Sequence, residues 1–366
     1  MNILEIVADL KIGGAQRVAA NISKYAGPEF HFTYAVFGDD VGDYEKEITG
    51  KGHRVVHIPS PKQSSAAFSR ALEEVMHSEK YDVVHCHTMY SCGLVMMLAK
   101  RNGIPGRISH SHTAKDNARD SAKRKMYKKG MRDLIWHFGT DYLACGTDAG
   151  IELYGEKRFR EKGIVIKNGI DTAAYRYNEG HCASIRRQLN LTDRFIIGHV
   201  GHYEPVKNQI FLIRLMPEIL KHRPNAVLLL YGEGSTRSEL EEDIQKLDLT
   251  DSAFVMGNAN NIPEILSAFD VFAFPSLFEG TPLALLEAQA NGLPCVISDQ
   301  VPDDACVTEL IQKLSLDDPA AWAKAILSAE RDPKTDHTAA LLSHYEDIHA
   351  SMNKLYQIFD QYKNRR

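Results

Sequence analysis

The segment VFAFPSLFEGTPLALLEA, residues 271–288, contains the pattern that decides the fold. Its apolar start predicts a buried strand, and the loop that follows leads into a helical pattern, which is typical of parallel α/β sheets. Thr281 suits the N-cap of this helix and Pro282 its first position, where a missing N–H costs nothing. The amides of Leu283 and Ala284 then remain free, and together with the helix dipole they predict a phosphate site.

Strands and helices alternate in the same way on both sides of this segment. Apolar runs predict strands at 2–8, 32–37, 54–58, 82–86, 107–110, 141–145, 164–167, 195–200, 226–231, 253–256, 271–275 and 295–298. A turn-rich segment at 168–180 divides this series in two. The pattern therefore predicts two doubly wound α/β domains that face each other across a cleft, at residues 1–170 and 171–344. Helical spacing over 338–362 predicts one long amphipathic stretch, and residues 345–366 are expected to return to the first domain.

The composition excludes several classes of protein. The chain has 366 residues, of which 44% are hydrophobic and 25% charged, so two ordinary cores are expected rather than a small module or a disordered chain. Its net charge of −5 argues against binding of nucleic acid. Since no run approaches the roughly 18 apolar residues of a membrane span and no signal peptide is recognisable, a cytoplasmic protein is expected. The six cysteines contain no C-x-x-C pair, which predicts reduced thiols.

Two carboxylates frame the predicted phosphate site. Glu279 lies in the loop before the helix, and Glu287 lies more than one turn inside it, so the two side chains would reach different parts of one ligand. A carboxylate accepts hydrogen bonds from two neighbouring hydroxyls, as in a ribose diol or a sugar. The pair predicts a ligand in which a diphosphate is flanked by hydroxyl-rich groups.

These residues resemble a known family. The pair Glu279 and Glu287 in the frame P-S-x-x-E-G-x-P-L-x-x-x-E-A, the sequence G-x-x-x-x-x-K-N at 201–208 and the early Gly13-Gly14 are similar to family 4 retaining glycosyltransferases of the GT-B fold. The resemblance covers nearly the whole chain and is nearest to transferases of bacterial exopolysaccharide or capsule synthesis. It implies that Glu287 binds the nucleotide ribose, Glu279 binds hydroxyls of the donor sugar, and Lys207 meets the diphosphate.

The resemblance implies further donor contacts, at Gly14, Asn258, Gly280, Leu283 and Ala284. Asn258 lies in a loop where the family reads the nucleotide base, and Gly14 lies in a loop that contacts the diphosphate or the acceptor.

Where the family usually has arginine, after the glycine of the G-x-x-x-x-x-K-N sequence, this chain has His202. A nearby diphosphate favours the charged form of a histidine, so we expect donor affinity to weaken as the pH rises above neutrality.

Four histidines follow or end two predicted strands, His85 and His87 on one and His110 and His112 on the other. A metal site would need more ligands, and the D-x-D sequence of metal-dependent glycosyltransferases does not occur in the chain. We therefore expect no metal and no cofactor. The resemblance implies that His112 lies against the donor sugar, and the other three are predicted to be satisfied core histidines.

The segment from Lys115 to Arg132 carries eight lysines and arginines against two aspartates, and apolar and aromatic residues follow it. This pattern predicts contact with an anionic membrane surface, where a lipid-linked saccharide acceptor would be found. A solvated helix face explains the charges equally well, and RNA binding is less favoured because aromatics are not interleaved with the charges.

The resemblance, taken with these features, implies a retaining, metal-independent transferase. It would move a sugar from a nucleotide sugar, with UDP-sugars expected from the family, to a glycan or lipid-linked saccharide. The second carboxylate lies too far inside the helix for glycosidase-like chemistry, and the family's front-face mechanism needs no side-chain base. A nucleotide-sugar epimerase and a catalytically silent nucleotide-sugar-binding scaffold remain as alternatives.

Overall fold

The computed structural model describes residues 1–11, 13–113, 121–279, 282–332, 335–363 and 365, and they form two compact units. The first unit comprises residues 1–169 and 348–366, and the second comprises residues 170–347. Among the described residues, no helix is both long and apolar enough to cross a membrane.

The first unit is built on a seven-stranded parallel sheet in the order β3-β2-β1-β4-β5-β6-β7. Its strands are β1 Asn2–Val7, β2 His31–Phe37, β3 Arg54–Ile58, β4 Val83–Cys86, β5 Gly106–Ser111, β6 Asp141–Ala144 and β7 Gly163–Val165. Its helices are α1 Gly14–Lys24, α2 Glu45–Gly50, α3 Ser65–Ser78, α4 Cys92–Arg101, α5 Ala122–Phe138, α6 Thr147–Tyr154, α7 Glu156–Lys162 and α16 Ile348–Asp360.

The second unit has a six-stranded parallel sheet in the order β10-β9-β8-β11-β12-β13. Its strands are β8 Phe195–Val200, β9 Ala226–Tyr231, β10 Ala253–Gly257, β11 Val271–Phe274, β12 Cys295–Ser298 and β13 Ile311–Leu314. Its helices are α8 Thr172–Tyr175, α9 Glu179–Gln188, α10 Gln209–His222, α11 Arg237–Lys246, α12 Ile262–Ala268, α13 Leu283–Ala290, α14 Pro319–Leu327 and α15 Thr338–His344. The predicted pair of doubly wound parallel sheets is confirmed, although β13 was not predicted.

The predicted amphipathic stretch over 338–362 is divided between the two units, close to the predicted boundary between residues 344 and 345. It is two helices, α15 in the second unit and α16 in the first, because the chain is extended at Tyr345. The amide of Ile170 donates to Glu346 O at 3.0 Å, and Ile170 pairs with Asp347 as an isolated parallel bridge. These backbone bonds replace the helical ones, so the helix ends where the chain leaves the second unit.

The helix α16 returns to the first unit, as predicted. Phe359 is fully buried and lies edge-on to His85, with ring centroids 5.4 Å apart. Tyr356 donates its hydroxyl hydrogen to Ile22 O at 2.7 Å. The C-terminal helix therefore completes the core beneath the first sheet's histidines.

Candidate functional site

An ion pair joins two loops at the carboxyl edge of the second sheet. Lys207 ends the short 3-10 turn that follows β8, and Glu279 lies in the loop after β11, the neighbouring strand. Lys207 Nζ lies 2.6 Å from Glu279 Oε1, and the two side chains are 20% and 7% exposed. The structure thus brings together two of the residues predicted to bind one ligand.

Local backbone geometry holds this pair in place. Asn208 adopts a left-handed conformation with φ 55°, which turns the chain from the 3-10 turn into α10, and its side chain donates to Pro275 O at 3.3 Å. The amide of Leu277 donates to Val206 O at 2.8 Å. These two bonds connect the loops, so the side chains of Lys207 and Glu279 meet without a long reach.

Two buried polar residues support the loop that carries His202. Burial lowers the pKa of His199 to about 4, so its ring is neutral at neutral pH, and Nδ1 lies 2.9 Å from Ala273 O. The Gln209 amide lies 3.3 Å from His199 Nε2 and donates to His202 O at 2.7 Å. The backbone of His202 is therefore fixed, while its side chain is exposed. Sequence reasoning missed both supports, because a buried histidine and glutamine carry no motif.

The helix α13 differs by one residue from the sequence prediction. It begins at Leu283, and Pro282 occupies the N-cap position rather than the first helical one. Leu283 and Ala284 still occupy the first positions, whose amides lack intrahelical partners. Glu287 is 6% exposed and faces the interior of the unit rather than solvent. Gly280 and Thr281 lie outside the described residues.

Three strand-end loops of the second sheet approach closely enough to require glycine. A Cβ on Gly232, which has φ +150°, would lie 2.0 Å from Gly201 O. The amide of Gly232 donates to Gly257 O at 2.9 Å. Asn258, the residue predicted to lie near the nucleotide base, is exposed directly after β10.

In the first unit, Gly14 begins α1 and is exposed. A Cβ on Gly14 would meet nothing within 4 Å. The fold therefore does not need a glycine here, which is consistent with the prediction that a ligand approaches this backbone.

The four histidines form a network on one buried carboxylate, Glu5. The Glu5 side chain is fully buried and lies 3.1 Å from His85 Nδ1 and 2.8 Å from His87 Nε2. His85 Nε2 continues to His110 Nδ1 at 3.2 Å, and His87 Nδ1 continues to His112 Nε2 at 2.7 Å. Sequence reasoning missed Glu5, because the register of β1 on β4 places it opposite His85 from 80 residues away.

Burial sets the charges in this network. It lowers the pKa of His87, and it lowers the pKa of His110 and of His112 well below the usual value for histidine, with repulsion between neighbouring rings adding to the effect. Burial by itself raises the pKa of Glu5, but the charge of His85 and the hydrogen bonds from both histidines hold it at about 2. His110 Nε2 and His112 Nδ1 are buried without a hydrogen-bond partner in the described part of the chain, so the two histidines are not fully satisfied.

The helix α5 carries the described part of the basic segment, since Lys115 to Asp120 lie outside the described residues. Ser121 caps the helix by accepting from the amide of Arg124 at 3.2 Å. Exposed lysines and exposed large apolar or aromatic side chains follow in the helix: Lys123, Lys125, Met126, Tyr127 and Lys129. Cationic and apolar groups therefore share the outer surface of this helix.

The structure defines a protein of two parallel α/β units, and comparison with known proteins shows the family to which it belongs. Residues 12–174 match the family described as Glycosyltransferase Family 4, and residues 183–340 match Glycosyl transferases group 1. The putative glycosyltransferase EpsF of Bacillus subtilis is 33% identical over 336 residues, which cover 89% of this chain and 87% of EpsF. The chain therefore belongs to the group 1 and family 4 glycosyltransferases.

Another relative matches nearly end to end. The capsular polysaccharide biosynthesis glycosyltransferase CapH of Staphylococcus aureus is 25% identical over 98% of both chains. Among solved structures, Anabaena Alr3699/HepE in complex with UDP and glucose superposes with a TM-score of 0.77 at 18% identity, covering 99% of this chain and all of the other. WaaG, a glycosyltransferase of lipopolysaccharide biosynthesis, superposes with a TM-score of 0.59 at 15% identity over 98% of each chain. The predicted GT-B fold is confirmed.

Proposed function

We propose that this glycosyltransferase moves a sugar from a UDP-sugar to a hydroxyl of a glycan or lipid-linked saccharide, with retention of configuration. The pair of Lys207 and Glu279 carries the proposal, because it presents a cation for a diphosphate and a carboxylate for sugar hydroxyls at one strand edge. UDP is supported by the solved HepE complexes, which contain UDP or UDP-glucose.

The remaining donor contacts extend from this pair. Glu287 would accept from the ribose hydroxyls, and the first amides of α13, at Leu283 and Ala284, would donate to the diphosphate. His202 would add a second cationic group, and Asn258 would lie near the base. On the first unit, Gly14 and His112 are assigned to the diphosphate and the donor sugar through the family resemblance.

The chemistry is electrostatic and needs no metal in this proposal. As the bond from the anomeric carbon to the diphosphate breaks, negative charge grows on the leaving oxygen, and Lys207 stabilises it. The acceptor oxygen attacks from the same face, and its proton passes to the departing phosphate oxygen. Glu279, 7% exposed and paired with Lys207, binds hydroxyls instead of forming a covalent intermediate.

The acceptor is proposed to be a saccharide of surface polysaccharide synthesis. EpsF and CapH support this choice, as does an Escherichia coli relative, 32% identical over 63% of this chain, named for transfer to GlcNAc-diphosphoundecaprenol. We further propose that the protein works in the cytoplasm and meets the inner face of the membrane through α5. The exposed lysines of that helix, beside Met126 and Tyr127, suit an anionic surface.

The experiment is incubation of the protein with radiolabelled UDP-sugars, with and without extracted bacterial lipids. Label in a lipid or glycan product supports transfer, whereas conversion of the donor alone indicates an epimerase and binding alone indicates a scaffold. NMR of the product linkage tests retention, and an inverted anomeric centre contradicts it. Equal activity before and after EDTA treatment is expected, and a loss that Mg²⁺ or Mn²⁺ restores would contradict metal independence.

A further inference from the structure

One branch of the histidine network runs from Glu5 through His87 to His112. The Glu5–His87 and His87–His112 contacts, at 2.8 Å and 2.7 Å, are the shortest in the histidine network. The rings of His87 and His112 are within 17° of parallel, with centroids 5.0 Å apart. Parallel rings in face contact would be separated by about 3.5 Å, so the 2.7 Å nitrogen contact is an in-plane hydrogen bond.

The direction of every hydrogen bond in this branch follows from Glu5. An ionised carboxylate only accepts, and at neutral pH Glu5 is ionised because its pKa is held at about 2. His87 must therefore donate from Nε2. Its ring is neutral, because burial lowers its pKa, so its Nδ1 carries a lone pair and accepts from His112 Nε2.

The same reasoning leaves His112 with a bare nitrogen. His112 is neutral, since burial lowers its pKa well below the usual value, and its ring hydrogen lies on Nε2. Its Nδ1 is then an acceptor, buried and without a partner among the residues that the structure describes. An unsatisfied buried acceptor is unfavourable, so a ligand that donates a hydrogen bond to it binds more tightly.

A metal ion is the competing explanation for this cluster. The ring nitrogens of His85, His87 and His110 lie within 4.8 Å of one another, which suits three ligands. Both nitrogens of His87 are already engaged, one by Glu5 and the other by His112. The geometry favours hydrogen bonds.

We propose that Glu5 and His87 are positioning residues that hold His112 with an unprotonated Nδ1, and that this nitrogen accepts a hydrogen bond from a hydroxyl of the donor sugar. The inference rests on the proposed function, in which His112 lies against that sugar. It goes further by assigning a task to Glu5 and a direction to the contact. A donor sugar that lacks the hydroxyl would leave the acceptor unsatisfied and bind less tightly.

The test is the tautomer of His112, measured by long-range proton–nitrogen NMR on the full chain labelled with ¹⁵N-histidine, without substrate. The His112 signals are assigned by their loss in His112→Asn. Wild-type protein should show hydrogen on Nε2 and a bare Nδ1. The variants Glu5→Gln and Glu5→Leu should shift hydrogen towards Nδ1, because His87 no longer has to donate to a carboxylate.

Glu45→Gln is the matched control, since Glu45 lies 3.2 Å from His57 Nε2 in the same unit. It should change the signals of His57 and leave those of His112 unchanged. A protonated Nδ1 in wild-type protein, or an unchanged His112 tautomer in both folded Glu5 variants, would overturn the proposal. Stoichiometric zinc in the purified protein that His110→Asn removes would overturn it in favour of a metal site.

A binding measurement tests the contact with the sugar. Calorimetry gives the affinity of each variant for UDP and, separately, for the UDP-sugar that wild-type protein binds most tightly. In Glu5→Leu the affinity for the UDP-sugar should fall about tenfold, while the affinity for UDP stays unchanged. An equal loss for both ligands would contradict the contact. Calorimetry reports binding only. A wild-type protein that binds the donor but transfers no sugar in the radiolabel assay would contradict the proposed function alone.

Discussion

Replacing Lys207 by methionine should weaken the binding of a nucleoside diphosphate by one to two orders of magnitude. Methionine keeps an apolar side chain near the Phe274 ring, over which the ammonium lies at 5.5 Å, and removes only the charge. A hydrogen bond to a charged group contributes about 1.5–3 kcal/mol, which corresponds to about 10- to 150-fold in Kd. The carboxylate of Glu279, left unpaired and 7% exposed, would also repel the diphosphate, so we expect the upper half of that range.

Removing the negative partner of the same ion pair should have the opposite effect on UDP binding. Glu279→Gln removes the negative partner at 2.6 Å from Lys207 and leaves the cation free for the diphosphate. UDP should therefore bind as tightly as to wild-type protein or more tightly. The affinity for the UDP-sugar should fall, because an amide accepts fewer hydrogen bonds from sugar hydroxyls than a carboxylate does.

Isothermal titration calorimetry at neutral pH and physiological salt measures both effects. Lys221→Met is the matched control, because Lys221 forms a 2.7 Å ion pair with Glu218 in the same unit, yet its side chain is 68% exposed. Its affinity for UDP should equal that of wild-type protein. Wild-type affinity in Lys207→Met, or an equal loss of UDP binding in Glu279→Gln, would refute the reasoning.

Three further predictions concern other parts of the molecule. Gly14→Val and the control Gly50→Val should both retain the wild-type melting temperature, since neither added Cβ meets an atom within 4 Å. Only Gly14→Val should bind the donor less tightly. Equal donor affinities of the two variants would contradict a ligand contact at Gly14. Burial lowers the pKa of His199 to about 4, so below pH 6.5 the unfolded chain takes up a proton that the folded protein does not. The free energy of unfolding should therefore be highest above pH 6.5 and about 2 kcal/mol lower at pH 5. Urea unfolding followed by Trp322 fluorescence in a Trp136→Phe background should show that loss, and His199→Asn should reduce it. An equal fall of the unfolding free energy with pH in both proteins would contradict the role given to His199. Replacing Lys123, Lys125 and Lys129 by glutamine should weaken sedimentation with anionic vesicles by about 3 kcal/mol, at about 1 kcal/mol for each lysine, whereas the same change at Lys46, Lys62 and Lys80 should not. Equal binding of wild-type protein to neutral and anionic vesicles would exclude the membrane contact.

Strand bounds were predictable where the strands are fully buried. The runs 195–200 and 226–231 match β8 and β9 residue for residue, because a strand covered on both faces reads as a continuous apolar run. The edge strand β13 was missed, because its sequence IQKL contains two polar residues and only one face of it needs to be apolar. The helical spacing continues across the junction at Tyr345, so the spacing alone does not show where α15 ends and α16 begins.

The residues of the candidate site were also predictable only in part. The loop residues Lys207 and Glu279 stand in sequence frames specific enough to name them, and the structure places them in contact. The supports His199 and Gln209 have no such frame, because a polar residue in a buried strand or at the start of a helix gives no sign of its partner. Glu5 appeared in the sequence as one acid in an otherwise apolar strand, and its role emerged only with its neighbours.

The sequence by itself determined the two parallel α/β domains and the loops that would carry the chemistry, because hydrophobic periodicity and strand-end motifs are local properties of the chain. The tertiary structure decided which charges meet: Lys207 with Glu279 across 72 residues, and Glu5 with His87 across 82. The order of strands in a sheet sets these contacts, since β8 pairs with β11 and β1 pairs with β4. A hydrogen bond acts over about 3 Å, so only that order establishes whether Glu5 is an isolated buried charge or the residue that fixes the tautomer of His112.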